Sequence, residues 1–352
     1  MWAAVFTGER LELREMITPP CPSGGLLIRV IACAICGTDI KTLRQSDVKL
    51  EGGKLRSMKL PRVLGHEFSG QVAATSPDVQ EFTVGERVVV APTVPCRRCH
   101  YCLRGATEMC EQLRVFGYDW DGGFSEFVSV EKDVLDAGCV VRIPEGVDSL
   151  GACLAEPISC ALNCLELSPV EEGDAVLIIG AGPLGVMLSD LARRKGARTV
   201  MLAEVSAEQI EAARVSGADV YINTSKEDLK AKVLEITGGR GVEVLIVACS
   251  APEAQAAALD LIAKRGRINL FAGLPRGKST VCWDANIIHY TECFVTGTHG
   301  SRPEQVRAAL VLMETGAIEP AKYISHTFPL SRIHDAVETS RGTGRLKVLV
   351  TP

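Results

Sequence analysis

The spacing of apolar residues changes near residue 150 and divides the chain into two parts. In the first part, short runs of strand-like residues are separated by glycine and proline. These runs lie at Leu26 to Ala34, Gly70 to Ala74, Arg87 to Ala91 and Gly123 to Val130. They predict a compact, strand-rich domain.

From about Asp174 the chain repeats an apolar strand, a glycine-containing turn and a helix. The strands are AVLIIG, TVMLAE, VEVLIVA and RINLFAG, with helical stretches at Ala207 to Ser216, Lys226 to Thr237 and Pro252 to Lys264. Strands that are apolar throughout are typical of parallel sheets covered on both faces. The second part is therefore predicted to be a doubly wound α/β sheet of the dinucleotide-binding type.

Length and composition limit the class of partner. A chain of 352 residues suggests about two domains. With 23% charged residues and a net charge of −5, it is expected to bind small molecules and further copies of itself, and not nucleic acid or a membrane surface. The start of the sequence lacks a basic and then apolar pattern, and its longest apolar run is interrupted by glycine and proline, so we expect no export leader, no membrane span and a cytoplasmic location. Its 14 cysteines then fit metal ligands and reduced thiols.

Four cysteines in one short segment form the most regular motif of the chain. The run PCRRCHYCLRGATEMC has C-x2-C-x2-C-x7-C spacing and contains Cys96, Cys99, Cys102 and Cys110. Four thiolates at this spacing predict a closed tetrahedral zinc site. Because a closed site has no position for a substrate, this zinc is expected to be structural, and an enzyme would need a second centre.

A glycine-rich turn follows the first apolar strand of the second part. In VLIIGAGPLG the glycines have G-x-G-x-x-G spacing between a strand and a helix, and this context makes the motif specific. The predicted coenzyme-binding residues of the turn are Gly180, Gly182, Pro183, Leu184 and Gly185. Glu204 ends the next strand, where a carboxylate would bind the adenosine ribose hydroxyls and repel a 2′-phosphate, which favours NAD over NADP. A solvated strand-end glutamate is the alternative.

Further candidate metal ligands lie in two short turns that contain glycine. Cys36 begins CGTD and His66 lies in LGHE, and both side chains are good zinc ligands. A catalytic zinc takes three protein ligands and keeps one position open. Glu67 and Glu156 are both available as the third ligand, and Cys153 competes with them.

Two neighbours of Cys36 have candidate supporting roles. Asp39 could accept the second ring N–H of His66 and fix the orientation of the ring, although an aspartate that caps the turn is the alternative. Thr38 lies two residues from Cys36, and its hydroxyl can accept and donate a proton. A structural turn threonine is the alternative there.

Seven segments, in their order and spacing, resemble zinc-dependent medium-chain dehydrogenases, and most closely their sorbitol (L-iditol) 2-dehydrogenase-like branch. They are CGTDIKTLR, PRVLGHEFSGQV, VGERVVVAPTVPCRRCHYCLRG, GGFSEFV, the AEP turn, GAGPLG and GRINLFAGLP. The resemblance implies a GroES-like catalytic domain over residues 1–157, with the zinc lobe at about 92–113. It also implies a Rossmann NAD-binding domain over 158–296 and a return to the catalytic domain over 297–352. Homo-dimers or homo-tetramers, formed through the strand at Cys293 to Gly297, are implied as well.

The same resemblance implies two zinc ions, one catalytic at Cys36 and His66 and one structural at the four-cysteine cluster. In that branch both acidic positions, here Glu67 and Glu156, approach the catalytic zinc directly or through its water.

The resemblance also implies the roles of three further residues. Zinc would bind the substrate oxygen, NAD would accept the hydride and Thr38 would pass the proton outward. Many relatives have histidine where this chain has Lys41, so the outer end of the proton relay stays open. Lys347 matches a basic position that contacts coenzyme phosphate in relatives, with a solvated strand-end lysine as the alternative.

We therefore predict a zinc- and NAD-dependent enzyme that reversibly oxidises a secondary alcohol of a polyol or sugar-like substrate to the ketone. Seven basic residues against two acidic ones between Lys41 and Arg62 leave an anionic polyol open as substrate, although such a run is usually a solvated face. The nearest alternative is a threonine-dehydrogenase-like amino alcohol oxidation, which Lys41 weakens because that group typically has histidine there. A binding protein without chemistry and a zinc-free quinone reductase are disfavoured by the metal-ligating residues.

Overall fold

The chain folds into two compact units. The computed structural model describes residues 1–45, 49–51, 54–56 and 58–352, and side chains outside the range 45–57. The first unit contains residues 1–159, 300–342 and 347–352, and the second contains 160–299 and 343–346. The sequence places the boundaries after residues 157 and 296, and it gives no indication that Thr343–Leu346 lies in the second unit.

Twenty strands lie in the described part of the chain. They are β1 (Trp2–Phe6), β2 (Leu11–Glu15), β3 (Leu26–Ala34), β4 (Lys49–Glu51), β5 (Lys54–Arg56), β6 (Arg62–Val63), β7 (Glu67–Thr75), β8 (Arg87–Val90), β9 (Thr93–Val94), β10 (Arg114–Val115), β11 (Phe127–Val130), β12 (Val140–Arg142), β13 (Ala175–Ile179), β14 (Thr199–Glu204), β15 (Val220–Asn223), β16 (Val242–Val247), β17 (Ile262–Leu270), β18 (Phe294–Gly297), β19 (Ile324–Pro329) and β20 (Lys347–Thr351).

Eleven α-helices are found among the same residues. They are α1 (Gly37–Gln45), α2 (Lys132–Asp136), α3 (Ser149–Ala152), α4 (Ala155–Leu167), α5 (Pro183–Arg194), α6 (Ala207–Ala213), α7 (Leu229–Thr237), α8 (Pro252–Ala256), α9 (Ala285–Thr291), α10 (Pro303–Glu314) and α11 (Ile333–Arg341). None of them is long and apolar enough to cross a membrane.

The first unit is built on a seven-stranded sheet in the order β12-β8-β7-β3-β20-β19, with β11 also paired to β3. Its pairs are antiparallel except β19 with β20. β3 alternates buried and more exposed positions over much of its length, as expected for a sheet with one face on a core, whereas the first four residues of β7 are all buried. β20 comes from the end of the chain and lies beside β3, so residues far apart in sequence meet at one end of β7.

The second unit is a six-stranded, all-parallel sheet in the order β15-β14-β13-β16-β17-β18. Numbered within the unit this is 3-2-1-4-5-6, the doubly wound order that binds dinucleotides at its central crevice. The five residues of β13 are all buried, as the apolar run predicts. The predicted α/β class and doubly wound sheet are confirmed.

The structure corrects two details of the second unit. The helix predicted over Pro252 to Lys264 ends at Ala256, and β17 already begins at Ile262, because the short apolar run at 261–263 suits a buried strand as well as a helix. β15 is an additional strand that the apolar pattern does not predict, since only Ile222 of its four residues is fully buried.

Candidate active site

The turn before β7 places His66 and Glu67 at the start of that strand. Gly65 has φ +90°, a left-handed conformation that favours glycine, and its carbonyl accepts the N–H of Gly123 at 2.7 Å. A Cβ atom on Gly122 would lie 2.1 Å from the Gly65 oxygen, so that position also needs glycine. The LGHE turn is therefore held by close backbone packing against the segment before β11.

The structure brings Cys36, His66 and Glu67 together. One ligand atom from each lies within 4.8 Å of the other two, and His66 and Glu67 are buried. Behind them, Asp39 Oδ2 accepts the backbone N–H of Cys36 at 2.9 Å, and its Oδ1 lies 3.6 Å from His66 Nδ1. Thiolate, imidazole and carboxylate at this spacing are a donor set that suits zinc.

The ring of His66 has a defined direction in this site. Burial lowers the pKa of His66, but the Asp39 carboxylate and Cys36 outweigh burial, so the pKa is raised well above its ordinary value. Nδ1 and Asp39 Oδ1 are both buried and have no hydrogen-bond partner at 3.6 Å. If these two atoms moved slightly closer, Nδ1 would donate a hydrogen bond to Oδ1. Nε2 would then be the nitrogen available to a metal. The residues present therefore fit a zinc ion.

Lys347 lies in this same site. Its Nζ is 2.6 and 2.5 Å from the two carboxylate oxygens of Glu67, and the Lys347 and Glu67 side chains are only 4% and 1% exposed. Burial lowers the pKa of Lys347, but the charges of Glu67, Cys36 and Glu156 more than offset it, and the pKa is raised. The lysine is therefore charged, and it is held by the carboxylate next to His66.

The other two candidates for the third ligand occupy different positions. Glu156 is buried in the first turn of α4, close enough to Lys347 to affect its pKa. Among the described residues it is not in the group that meets within 4.8 Å, and neither is Cys153. The Cys153 thiol is fully buried, donates to the carbonyl of Leu150 at 3.1 Å, and has a pKa that burial raises.

The α1 helix begins directly after Cys36 and positions Thr38. The Thr38 hydroxyl lies 3.6 Å from Cys36 Sγ, and its backbone N–H donates to that sulfur at 3.4 Å. Thr38 and Lys41 are both exposed. A hydroxyl at this place connects the thiolate side of the site with solvent.

The four predicted structural ligands also meet. The sulfur atoms of Cys96, Cys99, Cys102 and Cys110 lie within 4.8 Å of one another. Backbone N–H groups of Cys96 and Gln112 donate to Cys110 Sγ at 3.1 and 3.3 Å, as is typical of metal-bound thiolates. Hydrogen bonds from the backbone of Cys102 and Glu111 lower the pKa of Cys99 to about 6. This cluster of sulfur atoms suits a closed zinc site.

The glycine-rich turn lies at the carboxyl end of β13, and Gly182 caps α5 with Pro183 at the first helical position. Gly180 has φ +112°, and a Cβ on Gly185 would lie 1.9 Å from the Gly180 oxygen. At Gly182 an added Cβ would meet nothing within 4 Å. The first and third glycines are therefore needed for close backbone packing, whereas the second leaves open space in front of the helix, where a pyrophosphate binds in such folds.

Glu204 ends β14 beside this turn. Its Oε2 accepts the N–H of Ala181 at 3.1 Å, and its Oε1 accepts the N–H of Val205 at 2.7 Å and that of Ser206 at 3.2 Å. The carboxylate is thus fixed at the crevice end of the sheet.

Comparison with known proteins identifies the family of the chain. Residues 22–152 match the alcohol dehydrogenase GroES-like domain, and residues 183–315 match the zinc-binding dehydrogenase domain. The chain is 32% identical to L-threonine 3-dehydrogenase of Pyrococcus horikoshii, over 96% of this chain and 95% of that protein. It is 29% identical to sorbitol dehydrogenase of Halalkalibacterium halodurans, covering 92% and 91%. It is also 29% identical to D-arabitol-phosphate dehydrogenase of Enterococcus avium, covering 97% and 94%.

A solved structure gives the same result for the fold. A zinc-binding dehydrogenase of Sinorhizobium meliloti bound to NADP superimposes with a TM-score of 0.89 at 30% identity, covering 100% of this chain and 99% of that one. The chain therefore belongs to the zinc-dependent medium-chain dehydrogenases of the alcohol dehydrogenase superfamily, as the sequence motifs predict. It is an oxidoreductase that acts on CH–OH donors with a nicotinamide coenzyme.

Two features of these sites were not found by sequence reasoning. The contact between Glu67 and Lys347 joins residues 280 positions apart, and no local pattern predicts it. Gln209 contacts the glycine-rich turn from α6, although it looks like an ordinary polar helix residue in the sequence.

Proposed function

We propose that the protein is a zinc- and NAD-dependent dehydrogenase that interconverts a secondary alcohol of a polyol or sugar-like substrate with its ketone. Cys36, His66 and an acidic residue would hold a catalytic zinc, and the four-cysteine cluster a second, structural zinc. When bound, zinc supplies a Lewis acid that lowers the pKa of an alcohol, and the coenzyme supplies the hydride acceptor. The observation that supports the proposal best is that Cys36 and the buried residues His66 and Glu67 bring ligand atoms within 4.8 Å of one another.

The protein's own side chains orient the ligands and move the proton. Asp39 holds the backbone of Cys36 and faces His66 Nδ1, which fixes both ligands from behind. Thr38, at 3.6 Å from Cys36 Sγ, accepts the proton of the substrate hydroxyl and releases it toward solvent. Since Lys347 binds both oxygens of Glu67, we propose Glu156, the other buried carboxylate near Lys347, as the acidic ligand of the catalytic zinc.

NAD is the proposed coenzyme because of Glu204. A fixed carboxylate at the end of β14 accepts the ribose hydroxyls of NAD and repels the 2′-phosphate of NADP. In the sequence the next basic residue after Glu204 is Arg214, at the end of α6. The structural relative from S. meliloti binds NADP, so both coenzymes belong in the test.

Two observations bear on the substrate. The relatives include a sorbitol dehydrogenase and a D-arabitol-phosphate dehydrogenase, which supports a neutral or phosphorylated polyol. The basic stretch from Lys41 to Arg62, which favours an anionic substrate, lies for the most part outside the described side chains. L-Threonine is the second candidate, because identity to a threonine dehydrogenase is 32%.

The deciding experiment measures NADH and NADPH formation with sorbitol, D-arabitol, D-arabitol 5-phosphate and L-threonine. We expect NADH from a polyol, and loss of this activity in Cys36→Ser but not in Cys282→Ser, which changes an exposed cysteine outside both clusters. NADH from L-threonine with none from any polyol would assign the second candidate. A preference for NADP would contradict the role of Glu204.

We also propose a homo-oligomer that extends the parallel sheet at β18. This strand ends the sheet in the described part of the chain, and Phe294 and Val295 on it are 61% and 37% exposed. An uncovered strand with exposed apolar side chains is costly in a monomer. Light scattering should find a dimer or tetramer, and Phe294→Glu should lower the mass toward one chain. A monomeric wild type would contradict this.

A further inference from the structure

A buried glutamine connects three segments around the coenzyme-binding turn. Gln209 lies on α6, is only 7% exposed, and its backbone N–H is capped by the Ser206 hydroxyl at 3.2 Å. Its side-chain Nε2 donates to the carbonyls of Ala181 at 2.9 Å and Arg345 at 3.0 Å. Its Oε1 accepts the N–H groups of Gly344 at 3.1 Å and Arg345 at 3.4 Å.

These four contacts use the full hydrogen-bonding capacity of the amide. A side-chain amide has two N–H donors and an oxygen with two acceptor positions. The partners are two carbonyls on one side and two N–H groups on the other, so they determine which end of the amide is nitrogen. Such a saturated buried amide is rigid, since any rotation leaves a buried polar group without a partner.

Ala181 is the middle residue of the glycine-rich turn, and it is held at both of its polar groups. Glu204 accepts its N–H at 3.1 Å, and Gln209 donates to its carbonyl at 2.9 Å. The carbonyl of Ala181 and the N–H of Gly182 belong to one planar peptide unit and point in opposite directions. Fixing the carbonyl therefore also fixes the direction of the Gly182 N–H.

That N–H belongs to Gly182, which caps α5 and has no atom within 4 Å of the place where a Cβ would lie. We infer that Gln209 is a positioning residue for the coenzyme: by holding the Ala181 carbonyl it aims the Gly182 N–H at the pyrophosphate. Gln209 also ties Thr343–Leu346 to the turn, which makes this late segment part of the coenzyme-binding unit. The inference rests on the proposed coenzyme site.

The test uses the full-length protein and two variants. Gln209→Leu removes all four contacts, and Gln209→Glu keeps the acceptor but puts a carboxylate oxygen against the carbonyls of Ala181 and Arg345. The matched control is Glu208→Ala, because Glu208 accepts the Thr343 hydroxyl at 2.8 Å and so ties down the same late segment without contacting the turn. Binding of NADH is measured by its fluorescence, with ADP-ribose and adenosine as competitors.

We expect Gln209→Leu and Gln209→Glu to weaken the binding of NADH and ADP-ribose about 10-fold to 100-fold, as for a lost or misdirected hydrogen bond to a charged group. Adenosine, which has no pyrophosphate, should bind as to wild type, and Glu208→Ala should be unchanged. If Gln209→Leu does not fold, Gln209→Glu alone decides.

Three results would overturn the inference. NADH affinity within about twofold of wild type in the variants would remove the positioning role. If the variants weakened the binding of adenosine and of ADP-ribose equally, Gln209 would stabilise the second unit in general and would not position the pyrophosphate-binding N–H. A wild type that binds neither NADH nor NADPH would overturn this inference together with the proposed coenzyme, whereas the first two results leave the proposed function intact.

Discussion

The ion pair between Lys347 and Glu67 gives the sharpest test of how the first unit is held together. Lys347→Met keeps most of the length and apolar stem of the side chain but removes the ammonium group, and it leaves Glu67, only 1% exposed, without its partner. Removing one member of a buried pair typically costs about 3–5 kcal/mol, because the remaining charge loses its partner but not its burial. In a unit of this size that corresponds to a fall in Tm of about 6–20 °C.

The assay measures thermal unfolding of the metal-free and the zinc-loaded protein by calorimetry. Lys347→Arg, which keeps the charge, should lose less than Lys347→Met. The double variant Glu67→Gln with Lys347→Met should also be more stable than Lys347→Met alone, because no unpaired charge remains.

The matched control is Lys132→Met, at an ion pair with Asp136 in which the side chains are 64% and 54% exposed. Exposed pairs contribute about 0–1 kcal/mol, so this variant should unfold close to wild type. If Lys347→Met lost no more stability than Lys132→Met in the metal-free protein, the buried pair would not stabilise the unit, and the reasoning would be refuted.

Three further predictions concern the metal sites and the glycine-rich turn. Cys99→Ala should lower the zinc content from about two to about one per chain and lower the Tm, while the folded protein keeps its hydride transfer; a folded but inactive variant would contradict a structural role. Asp39→Asn should weaken the catalytic zinc about 10–100-fold in chelator competition, and unchanged affinity would remove its orienting role. Gly182→Ala should unfold at the wild-type temperature but bind NADH poorly. Gly185→Ala should unfold at a lower temperature, because its Cβ would lie 1.9 Å from the Gly180 oxygen. A lower unfolding temperature for Gly182→Ala than for Gly185→Ala would contradict the packing of the turn.

Features that depend on neighbouring residues could be predicted from the sequence. The four-cysteine cluster and the strand, turn and helix around Gly180 are each encoded within about twenty residues. That Cys36 and His66 bind the same metal ion could be predicted only from the resemblance to a family. The number of residues between two distant turns does not determine how far apart their side chains lie. Their approach within 4.8 Å depends on β3 and β7 lying side by side.

The surroundings of Lys347 could not be predicted in this way. The resemblance implies a coenzyme contact for Lys347, with a solvated strand end as the alternative; the structure buries the side chain, which rules out the solvated strand end, and gives it a buried carboxylate partner. This contact exists because β20 inserts beside β3, a pairing between the two ends of the chain that no local periodicity encodes. The direct coenzyme contact stays a prediction.

The position of β20 has a consequence for the newly made chain. β20 lies between β3 and β19 in the sheet of the first unit, yet it is made after all the residues of the second unit. While the ribosome makes the second unit, β11 can pair with Leu26–Arg29 of β3, but Cys33 and Ala34 still lack their β20 partners, and Glu67 has no lysine to neutralise it. A chain stalled after Leu346 would therefore have all the residues of the second unit but a first unit in which β19 and the end of β3 lack their partner strand, and unpaired strands of this kind can join other chains.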